Sequence, residues 1–179
     1  MKVTTSITLL GAASLAHGYV VPRDLKTVVD VFTSVQTSID GLDTVVKAWS
    51  SDLAPLLDAS NKLISSITTG TNTVSGSTPL TLIETIRIIK PVQSLEAHAR
   101  TLVDDLKGKK QQIEQGGLCG VVGQQIDTIN TDSQVLTKAT ISKVPPVAQD
   151  VATQVAQGIL DVLADAKNSF SEQNCKGSA

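Results

Sequence analysis

A chain of 179 residues with 41% apolar side chains is long enough for one domain with its own core, and too apolar to be disordered. Its formal charge of -2 gives no general attraction for nucleic acid or for an anionic membrane. Aromatic residues are only 2%, which leaves little to stack on bases or sugars and implies a smooth aliphatic interior.

Residues 1–18 read as a secretory leader: Lys2 supplies a positive start, Ile7 to Ala16 an apolar stretch, and Ala16 and Gly18 small residues before a cleavage point. Residues 19–23 read as a short lead-in or pro-segment, 24–175 as a single helical domain, and 176–179 as a polar tail. No later stretch has the uncharged length of a transmembrane helix, and the polar ending SEQNCKGSA lacks the tail of a lipid-anchor signal.

The first helix starts near Asp24. Val28, Phe32, Val35, Ile39, Leu42, Val46, Trp49 and Leu53 recur at alternating spacings of four and three, a bundle seam. Ser50-Ser51-Asp52 offers caps for a second helix, with Pro55 in its first turn and Leu56, Leu57, Leu63, Ile64 and Ile67 on its apolar face. Thr68 to Thr78, TTGTNTVSGST, reads as a loop able to carry O-linked sugars. Thr78 and Pro79 then read as the cap and first residue of a long third helix reaching Ile113. Its first half, with Leu80, Leu82, Ile83, Ile86, Ile88, Ile89 and Val92, is apolar on nearly every side, which predicts a position enclosed by neighbours. Its second half narrows to Leu95, Ala99, Leu102, Leu106 and Ile113, and Pro91 between the halves predicts a kink. Lys107, Lys109 and Lys110 read as a solvated helix end complementing the helix dipole. Gly116-Gly117 stops this helix, a more polar fourth helix runs from about Leu118 to Ser142, Pro145-Pro146 breaks the chain, and Val151, Val155, Ile159, Val162, Leu163, Ala166 and Phe170 mark a fifth. No strand pattern competes, so the fold class is all-α: an up-and-down antiparallel bundle of about five helices around a long kinked central one.

Catalytic patterns are absent from the sequence: no G-x-S-x-G, H-E-x-x-H, P-loop or dinucleotide fingerprint occurs. His98 reads as a helix-surface residue, and Asp104-Asp105 as two carboxylates on different sides of a helix. No enzyme, cofactor or metal is therefore expected. In a secreted chain Cys119 and Cys175 favour pairing over free thiols, and antiparallel fourth and fifth helices would bring them to the same end of the bundle. What remains is apolar volume edged with polar groups. Phe32, Val35, Leu82, Ile86, Ile89, Leu95, Ile126 and Ile129 are the candidate apolar wall of a site between helices one, three and four, near Pro91. Ser60, Thr85, Gln125 and Ser133 are candidate polar anchors, although helical Ser and Thr also bond back to their own backbone.

Three blocks in this order carry a family resemblance: VVDVFTSVQTSIDGLDTVVKAW, then PLTLIETIRIIKPVQSLEAHARTLVDDLKGKKQQIEQGGLCGVV, then KVPPVAQDVATQVAQGI. Together they resemble the hydrophobic surface-binding protein A family, also described as fungal cell-wall galactomannoproteins. The resemblance implies a secreted or non-covalently wall-associated helical bundle that binds apolar material. The partner is a fatty acid or other lipid held between helices, or a hydrophobic solid on which a secreted esterase is recruited. The contrasting expectation is an antigenic wall mannoprotein that displays O-glycans from 68–78 and binds no small molecule.

Overall fold

A computed structural model describes residues 23–177. The leader-like residues 1–18, the lead-in through Pro22, and Ser178 and Ala179 lie outside the described residues. Six α-helices follow one another: α1 (Arg23–Ala48), α2 (Ala54–Ser75), α3 (Leu82–Gly108), the one-and-a-half-turn α4 (Lys110–Gln115), α5 (Cys119–Lys143) and α6 (Gln149–Ser169). A 3-10 turn, Pro146–Ala148, leads into α6. There is no strand among the described residues.

The five long helices form a closed ring. α1 packs on α2 and α3, α2 on α5, α5 on α6, and α6 on α3. Successive long helices reverse direction, yet α1 and α3 are parallel neighbours, because Gln36 meets Ser94, Asp40 meets His98 and Lys47 meets Asp105. The α2–α5 pair is parallel in the same way, with Ser60 against Gln125 and Thr68 against Asp132. A ring of five rods leaves an axial space that small aliphatic side chains do not fill, and this topology is what creates the site.

The α1 seam behaves as its spacing predicts: Val28, Phe32, Val35, Ile39, Leu42, Val46 and Trp49 are all buried. At the α1–α2 corner the Trp49 indole donates to the Asp52 carbonyl at 2.7 Å, and the Asp52 carboxylate accepts from Ala54 N–H at 3.0 Å. Residues 68–75 are not the loop that their Gly, Ser and Thr content suggests; α2 continues through Ser75. Thr68, Thr71 and Thr73 return their hydroxyls to carbonyls one turn back. Val74 is fully buried, and Gly70 lets α1 come so close that a Cβ there would stand 2.6 Å from Val31 Cγ1. Composition mimicked a loop, whereas the residues serve close helix packing.

The start of α3 also shifts. Thr78 N–H is taken by Asp24 and Leu80 N–H by the Lys143 carbonyl, so the extended chain runs on to Thr81. Thr81 and Glu84 then form a capping box, with Glu84 N–H donating to Thr81 Oγ1 and Thr81 N–H to Glu84 Oε2. α3 passes through Pro91 without interruption and ends at Gly108, so Ile113 belongs to a separate short helix. Gly117, at φ 67, supplies the left-handed turn before α5. The three lysines at this end are engaged rather than simply solvated: Lys107 pairs with Asp165, Lys109 donates to the Trp49 carbonyl at 3.2 Å, and Lys110 pairs with Glu114. Cys119 and Cys175 form a disulfide that fastens the chain after α6 to the start of α5.

The expectation that the first half of α3 is enclosed on every side needs correction. Leu80 and Ile88 are buried, but Leu82, Ile83 and Ile86 are exposed. α3 is one stave of the ring, with α1 and α6 beside it. Its apolar residues spread around the helix because some face the core and others face an opening.

Candidate functional site

The axial space is a cavity of about 350 Å³. This lies in the lower part of the range of small-molecule sites, roughly 300–1,000 Å³. All five long helices contribute to its wall. α1 presents the inner edge of its seam from Phe32 to Val46, α2 presents Leu56, Leu63 and Ile67, and α3 presents alternating turns from Leu82 to Leu106. α5 lines it from Val121 to Ile141, followed by Val144 just after the helix, and α6 with Val151, Val155 and Ile159. No charged side chain lines it among the described residues, and Ser60, Thr85, Gln125, Ser133, Thr137 and Thr140 are its polar members.

The cavity has a closed end and an open end. Leu82, Ile86, Val147 and Val151 line it while standing 49%, 60%, 81% and 53% exposed, so it opens where the starts of α3 and α6 meet the end of α5. At the opposite end, Leu53, Leu106, Val121 and Ala166 line it beneath the Trp49 corner and the disulfide. On α5 the lining runs from Val121 to Ile141, and the sixteen helical steps from Val121 to Thr137 alone span about 24 Å. That exceeds the ~15 Å spanned by the chains of one membrane leaflet, half of a ~30 Å hydrocarbon core.

Phe32, Val35, Leu82, Ile86, Ile89, Leu95, Ile126 and Ile129 lie on this wall, and so do Ser60, Thr85, Gln125 and Ser133. The site is wider than helices one, three and four, since α2 and α6 complete it. Apart from Ser60, the wall residues of α2 and α6, such as Leu63, Ile67, Val155 and Ile159, read in the sequence as ordinary core stripes. Among the polar members, Thr85 and Thr140 donate to the carbonyls of Thr81 and Leu136, so their hydroxyls are satisfied within their own helices. Ser60 is buried and donates to Gln125 Oε1 at 2.8 Å, linking α2 to α5.

The titratable groups lie elsewhere. His98 sits outside the cavity lining, its Nδ1 beside the Asp40 carboxylate of α1. Lys47 binds Asp43 and Asp105, and those hydrogen bonds, Asp43 first, raise its pKa. Asp105 is thus an ion-pair partner on the α1–α3 seam rather than a freely solvated acid. The arrangement therefore offers an apolar enclosure with hydrogen-bonding stations, and its charges lie on the outer seams.

Comparison with known proteins now places the chain. Residues 25–142 match the family described as hydrophobic surface binding protein A. The chain belongs to this family. Among relatives of this family member, Cell wall mannoprotein 1 of Aspergillus fumigatus is 28% identical over 174 residues, covering 96% of this chain and 61% of that protein. Cell wall mannoprotein 1 of Aspergillus flavus is 25% identical over 173 residues, covering 96% and 63%. The chain thus spans about three fifths of the length of these relatives. Among solved structures, ligand binding domain 2 of the Penicillium marneffei MP1 protein, complexed with multiple arachidonic acids, is similar with a TM-score of 0.79 at 23% identity. The match covers 84% of this chain and 98% of that one. AFMP4P in complex with palmitic acid has a TM-score of 0.76 at 19% identity, covering 82% and 99%. At these identities the likeness is one of fold.

Proposed function

We propose that this protein is a non-enzymatic binder of long-chain fatty acids, working outside the cell or in its wall. The cavity carries the proposal: a continuous apolar enclosure with no charged lining, open at one end and long enough for an acyl chain. Burying each methylene contributes about 0.8 kcal/mol, so such a chain binds without special chemistry. The fatty acids in two structures of the same fold support this reading, as do the leader-like residues 1–18 and the wall-protein names of the relatives. A carboxylate is costly to bury unpaired, which favours its lying toward the open end, beside hydroxyl donors, with the tail pointing inward. In the half of the cavity nearer that end, Ser133 and Thr137, half-buried and one turn apart on α5, carry hydroxyls without a side-chain hydrogen bond among the described residues and are the proposed head-group contacts.

The apolar contacts are Phe32, Val35, Leu82, Ile86, Ile89, Leu95, Ile126 and Ile129 as a group. Protein purified under native conditions should release fatty acid to mass spectrometry, and delipidated protein should take up palmitic acid. Lipid-free protein that takes up none overturns the proposal.

The exposed rim favours a second mode, adsorption to hydrophobic surfaces. Ile83, Ile86, Val147 and Val151 place apolar area around the mouth, where exposed aliphatic clusters mark interaction sites. A secreted esterase working on the same surface is the partner this mode suggests. Ile83→Glu with Val147→Glu should weaken adsorption to a polyester film, and unchanged adsorption would remove the rim from it.

A further inference from the structure

We propose that the cavity selects fatty acids carrying a second, neutral oxygen group at the far end of the chain, namely ω-hydroxy fatty acids. The inference rests on the fatty-acid reading above. Its starting point is a polar pair where a plain alkyl tail needs none. Ser60 is 4% exposed and sits near the closed end of the cavity, donating to Gln125 Oε1. That bond uses one side of the Gln125 amide. Its nitrogen, with two N–H donors, has no partner among the described residues.

A core built only to hold apolar tails would place aliphatic side chains at both positions, as it does at neighbouring Val122, Ile126 and Leu63. Gln125 is half-buried, so an alkyl tail laid over its amide would strip the nitrogen of water without replacing it, a cost that a ligand hydroxyl reaching it avoids. A hydroxyl suits the pair in either orientation of the amide, because it both donates and accepts. A carboxylate only accepts, and burying its charge here would be far more costly.

Spacing selects the position of that hydroxyl. Gln125 lies eight residues before Ser133 and twelve before Thr137 on the same helix, about 12 and 18 Å along its axis. With the carboxylate at Ser133 and Thr137, that depth matches the far end of a long acyl chain, since one leaflet of such chains is ~15 Å thick. Hydroxyls placed beside the carboxylate would remain near Ser133 and Thr137 and leave Gln125 unmet.

The test compares palmitic acid, ω-hydroxypalmitic acid and α-hydroxypalmitic acid by calorimetry on the delipidated full chain. The two hydroxy acids have the same composition, so overall polarity cancels. The ω-isomer should bind about tenfold more tightly than the α-isomer, the worth of one net hydrogen bond in an apolar site. In Ser60→Ala/Gln125→Leu the preference should vanish while palmitic acid binds as tightly as before or tighter. Equal binding of the two isomers to the unmutated protein overturns the proposal without needing any variant. Equal weakening of all three acids in the double variant also overturns it, because the pair would then hold the carboxylate. Absence of binding by all three acids refutes the fatty-acid reading itself.

Discussion

If the acyl chain lies along the cavity, affinity should climb with chain length and stop where the cavity is blocked. Each buried methylene contributes about 0.8 kcal/mol, or about fourfold in Kd. From decanoic to palmitic acid the six added methylenes amount to about 5 kcal/mol, roughly three-thousandfold, as the upper limit for full burial. The lining on α5 extends about 24 Å from Thr137 to Val121, so no plateau is expected within this series. Ile129→Trp places a ring eight residues, about 12 Å, inside Thr137. Ile129 is half-buried, packed against the core and on the cavity wall, so the larger side chain extends into the cavity. The variant should bind decanoic acid nearly as the parent does and gain little from further methylenes. Isothermal calorimetry on delipidated protein reads both slopes, and a urea titration checks that the variant remains folded. A flat series in the parent would place the chains on the outer surface. A full slope retained in Ile129→Trp would show that the tail does not run past this level of α5.

Further predictions concern the scaffold. Gly41→Ala should stabilise α1 by about 0.5–1 kcal/mol, because a Cβ there meets nothing within 4 Å, whereas Gly70→Ala should destabilise by about 1–3 kcal/mol through Val31. Equal signs in denaturant titrations would refute the close α1–α2 approach. Replacing Cys119 and Cys175 by serine opens a link between residues 56 positions apart and should cost about 4 kcal/mol, measurable as a lowered denaturation midpoint. Hydrogen bonds from the Thr78 side chain and backbone lower the Asp24 pKa. The tether should therefore stabilise the fold above the unfolded value of about 4 and fade as pH falls through the lower folded value. Asp24→Asn should accordingly lose stability at neutral pH and converge with the parent in acid, and a pH-independent difference would exclude this tether as the cause.

Much of this architecture is written locally in the chain. The α1 seam needed only its three-four spacing, because one face of a helix in water must find apolar cover. Pro145-Pro146 and Gly116-Gly117 stop helices by backbone chemistry that any context preserves. Residues 68–75 misled because the same small residues serve loops and close helix contacts, and only the proximity of Val31 separates the two. The start of α3 misled because both Thr78 and Thr81 are good caps. The choice fell to Asp24 and the Lys143 carbonyl, groups 54 and 63 residues from the atoms they bind.

The cavity is the least local feature. Twelve residues chosen from apolar faces and their polar interruptions lie on its wall, yet each is also compatible with a filled core. The sequence leaves open whether facing stripes meet or stand apart. Three of the five neighbouring pairs here, α1–α3, α2–α5 and α3–α6, run parallel, so the chain closes a ring instead of stacking each helix on the one before. In a stack, Leu82 and Ile86 would be covered by the preceding helix. In a ring they become the lip of an axial space, which accounts for both their exposure and their aliphatic chemistry. A helix that is apolar all round can be a surface element when part of its apolar face borders a ligand's entrance. The direct way to tell such a helix from a central one is to label Ile83→Cys, which a ring leaves accessible to thiol reagents and a stack would bury.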